Sequence, residues 1–366
     1  MLTDKALYTG VFQVVVSAAV DNGINMILTP IFTPALDTMV GGERPTNQLL
    51  GCTQENGKWS FDFTLVHRWI EMCKRCGVEY YEISHLFTQW GAEHAPKVMA
   101  TVDGEYKKVF GWETDAAQGD YTAFLKEMIP QLIEVLKEHG VDKNTVFHIS
   151  DEPGDWMLES YKRAKSTVED VLDGQIIIDA LSDYSFYEKG ILEHPVVSTD
   201  HVQKYIDNNV KDLWVYYCCG PEKVFPNSFI AMPSARVQVL GYMLYKYDIK
   251  GFLHWGFNFY NSALSYYPIN PYSTTSADGN LPSGDPFIVY PAPDGAYPSI
   301  RGKVTYEAIC DLNLCRTLEK RIGREAVVKM IDEIAGFDVR FDEYPLDGAY
   351  LPTLRESIVA KLRDTL

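Results

Sequence analysis

Seven short apolar runs, each followed by a stretch of different period, constrain this chain more than any other feature. They fall at 24–32, 78–86, 145–150, 175–180, 196–199, 213–218 and 251–257. Helical patterns lie between them. Asp62 can cap a helix that runs to Gly77, and Asp120 one that runs through Phe124, Leu125, Met128, Leu132, Val135 and Leu136 to Gly140, with a kink at Pro130. Residues 156–172 and 236–247 supply two more. Strands separated by helices imply parallel pairing, because a parallel neighbour needs a crossover and a hairpin cannot supply one. The sheet is then closed into a barrel or doubly wound. A doubly wound nucleotide fold calls for a Gly-rich turn after its first strand, and the run 24–32 ends instead in Thr33-Pro34.

Residues 259–299 break the alternation. Pro268, Pro271, Pro282, Pro286, Pro291, Pro293 and Pro298 mark a long structured loop, and loops of that length are usually functional. A helix with apolar positions Val304, Ala308, Leu312, Cys315, Leu318 and Ile322 follows and closes at Gly323. Two more are expected near 326–335 and 354–366, packed on the exterior of the barrel. A chain of 366 residues suits one α/β barrel of about 250 residues with additions. The expected division is a barrel catalytic domain at 1–300 and a helical C-terminal extension at 301–366.

The net charge of −17 repels phosphates, so nucleic acid and anionic membranes are poor partners. No apolar stretch reaches the roughly 18 residues of a membrane span. The opening Met-Leu-Thr-Asp-Lys lacks the basic-then-apolar order of a secretion signal. With that, seven cysteines read as reduced thiols in a cytoplasmic protein. Cys73 and Cys76 sit on a helical apolar stripe and read as core or semi-buried thiols. Cys218 and Cys219 lie in a strand-like run, pointing to opposite faces.

The sharpest chemical feature is Thr145-Val-Phe-His-Ile-Ser-Asp-Glu-Pro153, an apolar strand that runs straight into Asp151 and Glu152. The C-terminal strand ends of a barrel hold its active site. Two carboxylates there can divide labour, one ionised and the other raised in pKa until it can donate a proton. The alternative is that both merely favour the start of the helix at 156–172. Neighbours on a regular strand point opposite ways, so both reach one pocket only if the strand breaks, as Pro153 suggests. Side by side they are too close to flank a sugar in the usual two-carboxylate arrangements, which leaves a substrate-assisted route with an acetamido nucleophile. Other strand ends carry Ser84-His85 with Trp90 beyond, Asp179 and Asp183, Asp200-His201, Tyr216-Tyr217 and His254-Trp255-Gly256-Phe257-Asn258. Polar groups beside aromatic faces suit a sugar. The expected substrate contacts are His85, Asp200, Tyr216, Tyr217, Trp255 and Asn258. His85, His201 and His254 lack close ligand spacing, so neither a metal nor a cofactor is expected.

Several stretches resemble the glycoside hydrolase family 123 catalytic domain: Gly23-Ile-Asn-Met-Ile-Leu-Thr-Pro-Ile-Phe-Thr-Pro34, Gly42-Glu-Arg-Pro45, His148-Ile-Ser-Asp-Glu-Pro153, Gly251-Phe-Leu-His-Trp-Gly-Phe-Asn258, Asp285-Pro286-Phe287 and Pro298-Ser-Ile-Arg301. The C-terminal half is similar to the associated domain of unknown function 4091. The resemblance implies a TIM-type (β/α)8 barrel and an exo-acting β-N-acetylgalactosaminidase on a glycan or small glycoside. It also implies the roles: Asp151 polarises the 2-acetamido group as it forms an oxazolinium, while Glu152 protonates the leaving oxygen and then activates water.

One departure from the family stands out. Its members usually carry a β-sandwich domain and a first barrel strand ahead of the Gly-Ile-Asn segment, whereas about twenty residues precede Asn22 here. Seven strands are counted. The expectation is an α/β barrel lacking its first strand, with the Asp-Glu strand as number four and 251–257 as number eight. The runs 24–32 and 251–257 should then have unpaired edges, open or filled by N-terminal residues or a partner chain. Two alternatives remain: a catalytically silent carbohydrate-binding or scaffold fragment, and a glycosidase for another sugar.

Overall fold

All seven apolar runs form strands in the computed structural model, which describes residues 11–293 and 295–365. The chain divides into two units. The first holds residues up to Pro195 with Asn261–Pro268 and Ala292–Ala296, and the second holds Val196–Tyr260, Ile269–Pro291 and Tyr297–Leu366.

The first unit opens with helix α1 (Val11–Val20) and strand β1 (Met26–Thr29). A hairpin follows, β2 (Gly51–Glu55) and β3 (Lys58–Asp62), then helix α2 (Thr64–Cys76) and strand β4 (Tyr80–Ile83). A second hairpin, β5 (Val98–Val102) and β6 (Glu105–Phe110), precedes helix α3 (Gly119–Glu138). Strand β7 (Thr145–Phe147), helix α4 (Leu158–Ser166) and strand β8 (Ile176–Ala180) complete the unit. Strands β1, β4, β7 and β8 pair in parallel in that order, with Thr29 opposite Ile83 and Phe147 opposite Ile177. Asp62 accepts from the Thr64 amide (2.9 Å) just ahead of α2, whose cap position is Phe63 and not Asp62, and Gly77 ends the helix at φ 93°, where any other residue would be strained. The buried stripe Val66, Trp69, Ile70 and Cys73 turns α2 onto the sheet. Trp69 also donates to the Thr29 hydroxyl (3.2 Å).

The two hairpins were not expected, yet their turns carry a sequence mark. Asn56-Gly57 and Asp103-Gly104 have φ of 49°, 77°, 47° and 88°, the pair of positive angles that a tight hairpin turn demands. β2 pairs with β5, so the sheet runs β3-β2-β5-β6. Trp59, Phe61 and Phe110 pack at 5.0–5.4 Å against Phe124 of α3.

The second unit has strands β9 (His194–Ser198, from Val196 onward), β10 (Trp214–Tyr216) and β11 (Gly251–Leu253), paired in parallel in that order. Helices α5 (Val202–Asp207) and α6 (Leu240–Lys246) alternate with them. Helices α7 (Ile300–Ile322), α8 (Arg324–Ala335) and α9 (Tyr350–Asp364) follow. α7 lies directly on α6: a Cβ at Gly241 would stand 2.0 Å from the Ala308 carbonyl oxygen, so only glycine permits the contact.

The fold is an incomplete (β/α)-type barrel with seven parallel strands and C-terminal helices. Among the described residues β1 and β11 are each paired on one side only, as the count of seven implies. Some boundaries differ from expectation. Residues 156–172 form a 3-10 turn, Asp155–Met157, and then α4, which stops at Ser166 because the Thr167 and Val168 amides bond three residues back. Residues 236–247 form two short helices. Asp120 lies in the first turn of α3, whose cap is Gln118. Cys73 is buried and Cys76 half-buried, as their stripe implies. Cys218 and Cys219 fall beyond β10, so strand alternation does not govern them. No helix among the described residues is long and apolar enough to cross a membrane.

Candidate active site

The ladder of β7 stops at Phe147, four residues before Asp151. Side chains and loops carry the chain on from there. Asp179, near the end of β8, accepts from the amides of Ile149 (3.0 Å) and Ser150 (3.2 Å) and from Tyr161 Oη (2.5 Å), and it meets His148 Nδ1 at 3.1 Å. On the other side, Leu86 and Phe87 donate to the carbonyls of His148 and Ile149, and the Ser150 hydroxyl donates to the Thr88 carbonyl. The Trp90 amide donates to the Asp151 carbonyl (2.9 Å), and the Glu152 amide donates to the Ala180 carbonyl (2.8 Å). Asp151 and Glu152 are thereby stitched to the segments on both sides.

The expected break is present, at Glu152 itself. Its φ is 45°, a left-handed conformation that costs a non-glycine residue about 1–2 kcal/mol. The alternation of a regular strand therefore ends between the two carboxylates. Asp151 is half-buried and Glu152 exposed. Burial, then the charge of Glu152, pushes the Asp151 carboxyl well above the usual carboxylate range, while His148 pulls the other way.

His148 is the charged centre of this region. Burial alone would neutralise the ring, but Asp179 on Nδ1 and Glu82, 3.0 Å from Nε2, outweigh it and push the pKa up to about 10. Burial pushes Asp179 up, and the bonds from His148, Tyr161 and Ser150 pull it back. Every contact it makes is with a donor, so it serves as a carboxylate. His85 stacks on His148 with ring centroids 4.2 Å apart. Burial and then the His148 charge hold its pKa well below the usual value.

His85, His148 and Asp179 lie close enough together to suggest a metal site. Two features argue against one. The imidazoles are nearly parallel, at 24°, so their in-plane lone pairs do not converge on one point. The Asp179 oxygens are already engaged by several donors. The cluster reads as a hydrogen-bond network that fixes the 148–152 segment. Replacing Asp179 with Asn sets an amide NH2 against these donors and strips His148 of a counter-charge. Unfolding stability should fall by about 3 kcal/mol at pH 7, read from the urea midpoint. Because the His148 pKa is raised, its stabilisation is full below about pH 6.5 and fades as pH rises through about 10. In the Asp179→Asn protein, where Glu82 alone still holds the imidazolium, that fade should set in at a lower pH.

Other expected segments meet in the same unit. Arg44 donates to the carbonyls of Pro34 (3.3 Å) and Leu36 (3.1 Å), joining 42–45 to the end of 23–34. Both line an open cleft with Thr88, Lys97 and Trp112.

In the second unit Tyr216 and Tyr217 are both buried, so strand parity does not select between them. Tyr217 packs on Phe252 (4.8 Å) and His254 (5.2 Å), and burial pushes its hydroxyl up to about 12. Burial, then Arg301, pushes His254 down to about 3. Trp255 lies past the end of β11, half-buried, and donates to Asp285 (3.3 Å). A Cβ at Gly256 would meet the Asp285 carbonyl oxygen at 2.6 Å. Asn258 is exposed and bridges Phe287. Arg301 donates to the carbonyls of Gly284 (2.6 Å) and Phe287 (2.8 Å). The segments 251–258, 285–287 and 298–301, distant in sequence, thus converge. Asp200 stands apart on the turn after β9, accepting from Ser198 (2.6 Å) and lying 2.7 Å from His201 Nδ1. Sequence reasoning gave no role to His148, Tyr161 or Glu82, and it noted Asp179 only as a polar strand end. An aspartate closing the run Ile176-Ile177-Ile178 was the available signal.

A family model described as Glycoside hydrolase 123, catalytic domain, matches residues 9–318. Among solved structures, a family 123 glycoside hydrolase from Clostridium perfringens, studied for glycolipid glycan hydrolysis, superposes with a TM-score of 0.64 at 15% identity. The match covers 98% of this chain and 63% of that one, so the chain spans less than two thirds of that protein. A family 5 mannosidase from Rhizomucor miehei reaches a TM-score of 0.37 at 11% identity over 85% of this chain and 88% of its own, too loose a likeness to bear on the argument. No curated protein matches the chain.

Proposed function

The chain belongs to the glycoside hydrolase 123 catalytic-domain family, and from that footing we propose that it releases terminal β-linked N-acetylgalactosamine by a retaining, substrate-assisted mechanism. The observation that carries the reading is the adjacency of Asp151 and Glu152 where the chain turns left-handed at Glu152. Two neighbouring carboxylates leave no room for one to attack from the face opposite the other, so the nucleophile has to come from the substrate. The Asp151 carboxylate holds the acetamido N–H and directs its oxygen at the anomeric carbon. Glu152 gives its proton to the leaving oxygen. Glu152, now ionised, takes a proton from water, which opens the oxazolinium with net retention. Burial, then the Glu152 charge, raises the Asp151 carboxyl in the free protein, and the His148 cation is the group that pulls it back towards the ionised form this role needs.

His85, stacked on His148, is proposed to contact the sugar. For Asp200, Tyr216, Tyr217, Trp255 and Asn258 the proposal of sugar contact rests on their strand-end positions in the sequence. Glycolipid glycans, the subject of the work on the Clostridium relative, are a reasonable natural substrate class. Chromogenic β-GalNAc, β-GlcNAc and β-galactoside assayed side by side test the reading. Turnover should require the N-acetyl group and be fastest for β-GalNAc. A β-galactoside hydrolysed as fast as β-GalNAc would overturn it.

A further inference from the structure

Trp156 leaves 83% of its surface exposed, more than any other large apolar side chain among the described residues. A single exposed apolar residue is ordinary. The indole, however, is seated against the backbone of Gly154: a Cβ there would lie 2.5 Å from its Cη2 and Cζ3 atoms and 2.8 Å from Cε3. Glycine at 154 is what leaves the ring its place. The turn that carries it is tied down as well. The Met157 amide donates to the Gly154 carbonyl (2.8 Å), and Asp155 accepts from the Ser185 hydroxyl (2.9 Å) and pairs with Lys189 (3.5 Å). Gly91 packs closely on Met157 and Ser160, where a Cβ would have only 3.1–3.2 Å. A large apolar face is therefore held in water, four residues beyond Glu152.

A general acid stands beside the oxygen it protonates; Asp151, ahead of Glu152, serves the donor sugar, which leaves the chain that follows Glu152 to the leaving-group side of the cleaved bond. A pyranose has an apolar C–H face that stacks on an aromatic ring. We propose that Trp156 is a stacking platform for the first sugar of the leaving group, so that the protein prefers an oligosaccharide to a glycoside with a small aglycone. This rests on the catalytic reading given for Glu152.

The test compares two substrates with the same N-acetylgalactosaminyl group. One is the β-glycosyl fluoride, whose leaving group is too small to reach the indole, and the other is a β-linked disaccharide with a hexose aglycone. Trp156→Ala should lower the ratio of kcat/KM for the disaccharide to that for the fluoride about fivefold, and Trp156→Phe should restore most of it. An unchanged ratio overturns the proposal, and so does an equal loss on both substrates, which a merely structural role would give. Calorimetric titration keeps the inference separate from the catalytic reading. If the wild-type protein hydrolyses neither compound, the catalytic reading falls. The platform then stands if disaccharide binding weakens about fivefold in Trp156→Ala while binding of the methyl monosaccharide does not. It falls if both proteins bind the disaccharide alike, or if neither binds it.

Discussion

Glu152→Gln should reduce kcat on a disaccharide substrate by roughly 10³-fold, within the range that a positioned general acid contributes. The amide keeps the shape of the side chain and removes its proton. The loss should depend on the leaving group. A hexose leaving group needs the proton in full, whereas a fluoride or a strongly activated phenol leaves nearly without it. The first step on activated substrates should therefore survive much better, and added azide should rescue turnover by doing the work of the activated water. Glu152 is exposed, so the substitution buries no unpaired group, and urea unfolding should move little. A loss of the same size on every leaving group would show that Glu152 is not the acid.

The parts legible in the sequence were those governed by local pattern. The seven runs have apolar residues and flanking turns that no long-range contact needed to supply, and each became a strand. Gly77 marked the end of a helix by capping chemistry alone, and Asp62 its start to within one residue. The pair β2 and β5 was not legible: parallel pairing of Thr53 with Thr101 joins two loops 48 positions apart, and nothing local announces it. The carboxylate pair stood out as an interruption of an apolar strand. What prepares it did not, because Asp179, Tyr161 and Glu82 come from three different elements. Their burial together depends on mutual hydrogen bonding, which is a property of the fold and not of any one segment. Trp156 was invisible for a related reason. A tryptophan at the head of a helical pattern reads as core, and only its exposure in the fold shows that it faces water.

Asp151→Asn tests the nucleophile. If the acetamido oxygen attacks, positive charge grows on the oxazolinium, and the Asp151 carboxylate is its counter-charge. The neutral amide should slow even activated β-GalNAc substrates by about 10²–10³-fold, a loss comparable to removing a preorganised electrostatic partner. This pattern is distinct from that of Glu152→Gln, which spares good leaving groups. The pH profile adds an independent readout. Asp151 must be ionised while Glu152 keeps its proton, so the pKa that sets the acid limb is the one that burial raises, without the Glu152 charge. Activity should therefore be absent in acid and rise at a pH higher than an ordinary carboxylate would set. Asp151→Asn should remove that limb, whereas neutralising His148 by mutation should move it further up, because the imidazolium is the group that pulls Asp151 down. The substrate can be altered in place of the protein. Exchanging the 2-acetamido group for a hydroxyl removes the internal nucleophile and should cost at least as much as Asp151→Asn, with the two losses failing to add, since each removes the same step. If the 2-hydroxyl glycoside and β-GalNAc turned over equally, the nucleophile would have to come from the protein or from water, and Asp151 would have no oxazolinium to stabilise.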